Sequence, residues 1–262
     1  MPTQIRAILS ALAVLASCAP LAGQTGGAPA LVRVAAAADL QFALDEAAAR
    51  LARRRPALRI EAIYGSSGSM HAQLRQRAPY DVYLSADVEY PRDLVAKGVG
   101  TAGDLFIYAA GRLVVWVPAR SPLAIERDGL GALQEAARIA IANPRHAPYG
   151  RAAEAALRRA DIWDRVKGRL VLGENVAQAA QFAQSGAADA AIIAKSLAAA
   201  PALGTRGRIR DVPADMHPPL VQGGLILPWA GSRAAAEQLR DFLLGAEGRE
   251  LLTAFGFGLP AR

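Results

Sequence analysis

The sequence predicts an α/β protein in which short buried strands alternate with helices, as a parallel sheet requires, with enough length for two lobes. Three observations carry this. The chain has 262 residues, of which 53% are hydrophobic and 20% charged, the balance of a folded globular protein and not of a disordered one. Short apolar runs suited to buried strands are separated by stretches in which apolar residues return at helical spacing. The alternation extends from residue 31 to residue 84 and resumes at residue 113.

Taken in order, residues 31–36 are a short apolar run suited to a buried strand, and Leu40, Ala43, Leu44, Ala47, Ala48 and Leu51 then mark one face of a helix. Residues 58–64 read as a second strand, 69–76 as a helix and 81–84 as a third strand. Further on, 113–117 and 139–142 read as strands, 150–159 as a helix, 170–172 as a strand, 176–184 as a helix and 190–194 as a strand. Residues 225–227 are one more strand, and helices over 234–244 and 248–255 close the chain. No internal repeat of the solenoid kind is present.

The N-terminus has one early cation, Arg6, followed by an apolar stretch over 7–16 that is too short to span a bilayer. Residues 1–18 therefore read as an export signal, and 19–30, rich in Ala, Gly and Pro, as a tether. The single cysteine, Cys18, ends Leu15-Ala16-Ser17-Cys18, which resembles the lipobox of bacterial lipoproteins and implies lipid attachment at Cys18. The alternative is a plain secretory peptide cleaved near Ala22. Either way the mature fold has no disulfide.

The net charge of +7 and the pI of about 10.1 suit an anionic ligand or surface without choosing between them. The Arg53-Arg54-Arg55 run reads as a solvated helix face, since no aromatic residues interleave with it as single-strand nucleic-acid binding requires. His71, His146 and His217 are scattered and no cysteine pairs exist, so no metal held directly by side chains is expected. No Gly-x-Gly-x-x-Gly or P-loop run marks a nucleotide site, and no cofactor is expected.

Four strand-to-helix junctions carry small or polar residues: Ala38-Asp39, Gly65-Ser66-Ser67-Gly68-Ser69, Pro148-Tyr149-Gly150 and Glu174-Asn175-Val176. Taken singly, each reads as ordinary capping. The first turn of a helix also offers unpaired N–H donors at its positive dipole end, so several such turns meeting at one cavity can hold an anion without a buried cation. Such a rigid shell selects by size. Donors must lie about 2.7–3.2 Å from an oxygen, and each one left unmatched costs about 1–3 kcal/mol. Spacing alone does not fix whether the four turns converge.

Several motifs point further. Val34-Ala35-Ala36-Ala37-Ala38-Asp39-Leu40, the Tyr64-Gly65-Ser66-Ser67-Gly68-Ser69 turn and Ala78-Pro79-Tyr80-Asp81-Val82-Tyr83-Leu84-Ser85-Ala86-Asp87 come first. Then follow Ala142-Asn143-Pro144-Arg145-His146-Ala147-Pro148-Tyr149-Gly150, Gly173-Glu174-Asn175-Val176-Ala177-Gln178-Ala179 and the Phe255-Gly256-Phe257 ending. In this order the chain resembles the periplasmic molybdate-binding proteins of ABC importers over residues 31–260. The resemblance implies a periplasmic-binding-protein clamshell with lobe I over 31–110 plus 222–262 and lobe II over 111–221. Two crossover strands would act as the hinge, near Gly111-Arg112 and Val221-Gln222. It implies a monomer in the cell envelope that clamps a tetrahedral oxyanion, molybdate or tungstate, between its lobes and passes it to an ABC permease in the inner membrane. The metal would be bound only as its oxyanion.

By the same resemblance, Asp39, Ser67, Tyr149 and Val176 would hold the anion, and Ala38, Ser66, Gly68 and Asn175 would flank it. Ser67 would give its hydroxyl and N–H, and Tyr149 and Val176 their N–H groups, with the tyrosine hydroxyl added in one branch of the family. Two departures stand out. Ala194 occupies a place where some relatives have a ligand tyrosine, and Asp39 one where many have Ser or Asn. A carboxylate facing a dianion repels it strongly at low dielectric. Either Asp39 turns back as an N-cap, the preferred reading, or the anion brings a proton. Two rivals share the motifs. One is a clamshell that reports the oxyanion to a membrane receptor. The other is a hydrolase with Ser67 as nucleophile and His71 or His146 as base, although it lacks Gly-x-Ser-x-Gly spacing and an evident acidic partner.

Overall fold

A computed structural model describes residues 30–260. The export signal with Cys18 lies outside the described residues, as does the tether apart from Ala30. Among the described residues, ten strands form two five-stranded sheets. The first sheet, ordered β2-β1-β3-β10-β4, comprises β1 (Ala30–Ala37), β2 (Leu58–Gly65), β3 (Val82–Ser85), β4 (Leu105–Gly111) and β10 (Leu220–Ile226). The second, ordered β7-β6-β8-β5-β9, comprises β5 (Leu113–Pro118), β6 (Ile139–Ala142), β7 (Leu170–Gly173), β8 (Ala190–Ala194) and β9 (Gly207–Asp211).

The sheets are mixed in a shared way. β10 is antiparallel to both β3 and β4, and β5 to both β8 and β9, while the β1 and β6 pairings are parallel. Four strands of each sheet thus run one way and a single strand runs back. The chain passes from one sheet to the other through Arg112, between β4 and β5, and returns between Asp211 and Leu220. Leu220 and Val221 already pair with Gly111 and Ala110 in the first sheet.

β1, β3, β6 and β8 lie inside their sheets with helices on both faces, so their residues are buried almost throughout and, apart from Arg33 in β1 and Ser85 in β3, are apolar. The helices Arg233–Leu244 and Ala246–Ala254 return to the first sheet, where Leu239, Leu243, Leu251 and Leu252 pack with Val32, Val34 and Leu44.

Among the strands and the helices of eight or more residues, three lacked a sequence signal. β9 is an edge strand with a largely exposed Gly-Arg-Ile-Arg-Asp sequence, so no alternation marks it. β4 runs almost directly into β5, which blurs where one strand stops. The helix Glu89–Ala96 contains Pro91. β10 is longer at its start than its apolar run suggested, because Gly223 and Gly224 fall inside it. There the register shifts, and a side chain on either would collide with Val88 or the Phe106 ring.

Candidate functional site

β1, β2, β6 and β7 each lead into one of the four junctions, and in an open α/β sheet the crevice lies beyond the carboxyl ends of such parallel strands. From β1 the chain turns through the single 3-10 turn Ala38–Leu40, and β2 leads into the helix Ser67–Leu74. β6 and β7 lead into the helices Pro148–Arg159 and Val176–Gln184. The four turns meet. Asp39, Ser67, Tyr149 and Val176, with Ala38, Ser66 and Asn175, line one small pocket of about 190 Å³. The structure adds Ala37, Gly65, Ala86, Ala147 and Pro148 to its wall. Gly68, expected to flank the pocket, lies beside it, and Ala194 ends β8 fully buried without reaching it.

An accounting of the first-turn donors shows which face the pocket unclaimed. In the helix that Ser66 caps, Ser69 N–H goes to Ser66 Oγ, Met70 N–H to the Ser66 carbonyl and Gly68 N–H to the His146 carbonyl, leaving that of Ser67. In the next helix Pro148 has no N–H, and Gly150 and Arg151 donate to the Ala147 carbonyl, leaving Tyr149. Asn175 Oδ1 takes Ala177 and Gln178, each at 3.0 Å, and Ala179 reaches the Asn175 carbonyl, leaving Val176. Ser67 Oγ accepts from Ala86 N–H at 2.9 Å, which occupies a lone pair and leaves the hydroxyl hydrogen for another acceptor. The pocket therefore presents neutral donors, and no Lys or Arg lines it. Gly150 makes this seating possible, since any side chain there would strike the Ala142 carbonyl at the end of β6.

Asp39 corrects one expectation. Its carboxylate caps no helix. It turns inward, 1% exposed, where Oδ2 accepts from the Tyr149 hydroxyl at 3.1 Å and from Gln222 Nε2. The Tyr149 hydroxyl hydrogen is thus committed to Asp39, so the implied use of that hydroxyl as a ligand does not apply in this arrangement. Gln222 Oε1 in turn accepts from Tyr108 at 2.9 Å, and Tyr108 also reaches the Ser85 carbonyl. Burial pushes the Asp39 carboxyl up to about 6 from its ordinary 3.8, against the lowering effect of the Gln222 and Tyr149 hydrogen bonds. Burial, with the Asp39 charge beside it, holds the Tyr149 hydroxyl well above its ordinary value and so protonated. Asp39 Oδ1 is buried without a hydrogen-bond partner.

Contacts across the cleft hold the lobes shut. Gly68 N–H donates to the His146 carbonyl at 2.9 Å, Ser66 Oγ lies 2.8 Å from His146 Nδ1, Ser196 Oγ donates to the Asp39 carbonyl at 2.8 Å, and Arg151 pairs with Asp87 at 2.7 Å. The histidines do not serve Ser67. His71 pairs with Asp93 at 2.7 Å, and His146 meets Ser66, whose Oγ already caps the helix. Glu174 stands 3.6 Å from His146 Nε2 with its side chain 77% exposed, a loose contact rather than the oriented acid of a hydrolytic triad.

A small pocket of neutral donors, drawn from both lobes of a two-sheet fold, is the site of a clamshell solute-binding protein. The chain belongs to the family of bacterial extracellular solute-binding proteins, which it matches over residues 32–258. It is 31% identical to the molybdate-binding protein ModA of Azotobacter vinelandii over 255 residues, 97% of each chain, and 32% identical to ModA of Rhodobacter capsulatus over 195 residues, 74% of this chain and 75% of that one. The solved periplasmic molybdate-binding protein of Azotobacter vinelandii superposes with a TM-score of 0.82 at 31% identity, covering 88% of this chain and all of its own. The resemblance read from the motifs is thus matched by a family likeness over residues 32–258.

Proposed function

We propose that this protein captures molybdate or tungstate between its lobes and delivers it to an ABC permease of the inner membrane. One observation carries the reading: the unclaimed N–H groups of Ser67, Tyr149 and Val176, with the Ser67 hydroxyl, converge from both lobes on one pocket without a buried cation. The relatives named as molybdate-binding proteins support the choice of anion. Ser67 and Asp39 are the contribution of lobe I (31–110 plus 222–262), Tyr149 and Val176 that of lobe II (111–221). The protein acts as a periplasmic monomer, held to the membrane by lipid on Cys18. It binds without turnover, since Ser67 has no base.

The test is Ser67→Ala. It removes one charge-assisted hydrogen bond and is expected to weaken molybdate binding about 10- to 100-fold by calorimetry, with the circular dichroism spectrum retained. Unchanged affinity would remove Ser67 from the site, and an esterase activity lost in the variant would revive the hydrolase reading.

A further inference from the structure

The pocket contains one group whose chemistry opposes a dianion, and its surroundings specify how the conflict is resolved. Asp39 lines the pocket wall, yet both side-chain donors to its carboxyl, Tyr149 and Gln222, fall on Oδ2. Oδ1 is buried and receives none. Among the described residues no Lys or Arg lines the pocket to balance the charge. The titratable groups facing Asp39 are the Tyr149 and Tyr108 hydroxyls. On the elements packed against its turn, Lys195 is bonded to Asp211, Asp45 to Tyr64, Glu46 to Arg50 and Glu61 to Arg59, and the helix Val176–Gln184 has no titratable residue.

An ionised carboxylate placed this way would leave a charged oxygen desolvated and would repel the anion at short range. A neutral carboxyl group suffers neither. With two donors fixed on Oδ2, that oxygen is the carbonyl and the proton belongs on Oδ1, the atom without a partner.

We propose that Asp39 takes up one proton from solvent as the oxyanion binds and that its Oδ1–H then donates a hydrogen bond to the anion, making capture proton-coupled. This rests on the oxyanion reading above and adds a regulation to it. Burial, which raises the carboxyl to about 6, makes the uptake accessible near neutrality. The position thereby supplies an additional donor in acid and a barrier in alkali.

Calorimetric titration of the full protein with molybdate from pH 5 to 9, beside Asp39→Asn, tests this. Asparagine keeps an oxygen for Tyr149 and Gln222 and puts a permanent N–H donor at the other position. Wild-type affinity is expected to level off on the acid side by about pH 5 and to fall about tenfold per pH unit above the titration point of Asp39. Asp39→Asn is expected to bind with no such slope and, at pH 8, at least about tenfold more tightly than wild type. A flat wild-type profile, or a slope that survives in Asp39→Asn, overturns the proposal. So does a wild-type affinity that keeps rising tenfold per unit through pH 5, because the proton then rides on the anion. Absence of molybdate binding by both proteins at every pH is a different outcome and defeats the oxyanion reading itself.

Discussion

Gly68→Val is expected to lower molybdate affinity about 10- to 100-fold while leaving the thermal stability of the ligand-free protein nearly unchanged. Gly68 sits on the rim of lobe I, where its N–H reaches the His146 carbonyl across the cleft at 2.9 Å. A Cβ built on it would lie 2.6 Å from that carbonyl oxygen and 3.0 Å from His146 Cα, both backbone atoms that no rotamer change can clear. The collision with His146 exists only when the lobes are shut, so an open protein escapes it by remaining open. The Tyr90 hydroxyl, 2.8 Å from the same Cβ, lies on Gly68's own side of the cleft and is the end of a side chain that can move aside. Overpacking of this kind costs about 1–3 kcal/mol, which converts to the stated loss of affinity. Small-angle scattering supplies the second readout. Wild type should contract on saturation with molybdate, because donors from both lobes are satisfied together only on closure, and Gly68→Val should contract less at the same concentration. Equal affinity and equal contraction would mean that Gly68 does not approach His146 in the bound state.

Asp39→Asn is expected to raise the unfolding temperature of the ligand-free protein by about 5–10 °C at pH 8 and to change it little at pH 4. The sign follows from linkage. The carboxyl is raised from 3.8 to about 6 on folding, with burial the chief cause. Between these values the unfolded chain has released a proton that the folded protein retains. Stability from this group is therefore full below about pH 4, is lost as pH rises through the folded value, and stays lower above it by about 2–3 kcal/mol. Asparagine removes the titration and its cost, and for a chain of this size each kcal/mol shifts the midpoint by about 2–4 °C. Differential scanning calorimetry at both pH values checks this. The same gain at pH 4 as at pH 8, or a loss at pH 8, would show that Asp39 is not desolvated.

These expectations show how far the sequence could be read. Interior strands such as β6 and β8 are legible because burial on both faces writes them as unbroken apolar runs, and β1 is nearly so with Arg33 as its one interruption, whereas the exposed edge strand β9 left no pattern. The caps Ser66 and Asn175 are visible as residue types, and their motifs located the pocket. Which N–H groups they leave free emerges only once each bond is assigned. The orientation of Asp39 was not legible at all. Its partner Gln222 lies 183 residues away and Tyr149 110 residues away, so no local rule separates a capping aspartate from one drawn into a buried network. One cue was available in Gln222 itself, a lone amide between Leu220-Val221 and the Gly223-Gly224-Leu225 run, at a position 0% exposed in the structure. A buried amide needs partners, and here they are the tyrosine and the aspartate that back the pocket.

The central claim is that neutral donors from three helix-leading turns, those of Ser67, Tyr149 and Val176, select a large tetrahedral oxyanion. Calorimetric titration at pH 6 with molybdate, tungstate, sulfate and phosphate tests it most directly. Tight one-to-one binding of molybdate and tungstate is expected, with sulfate and phosphate weaker because their shorter bonds leave some donors unmatched. Sulfate or phosphate binding more tightly than molybdate, or no heat with any of the four, would contradict it.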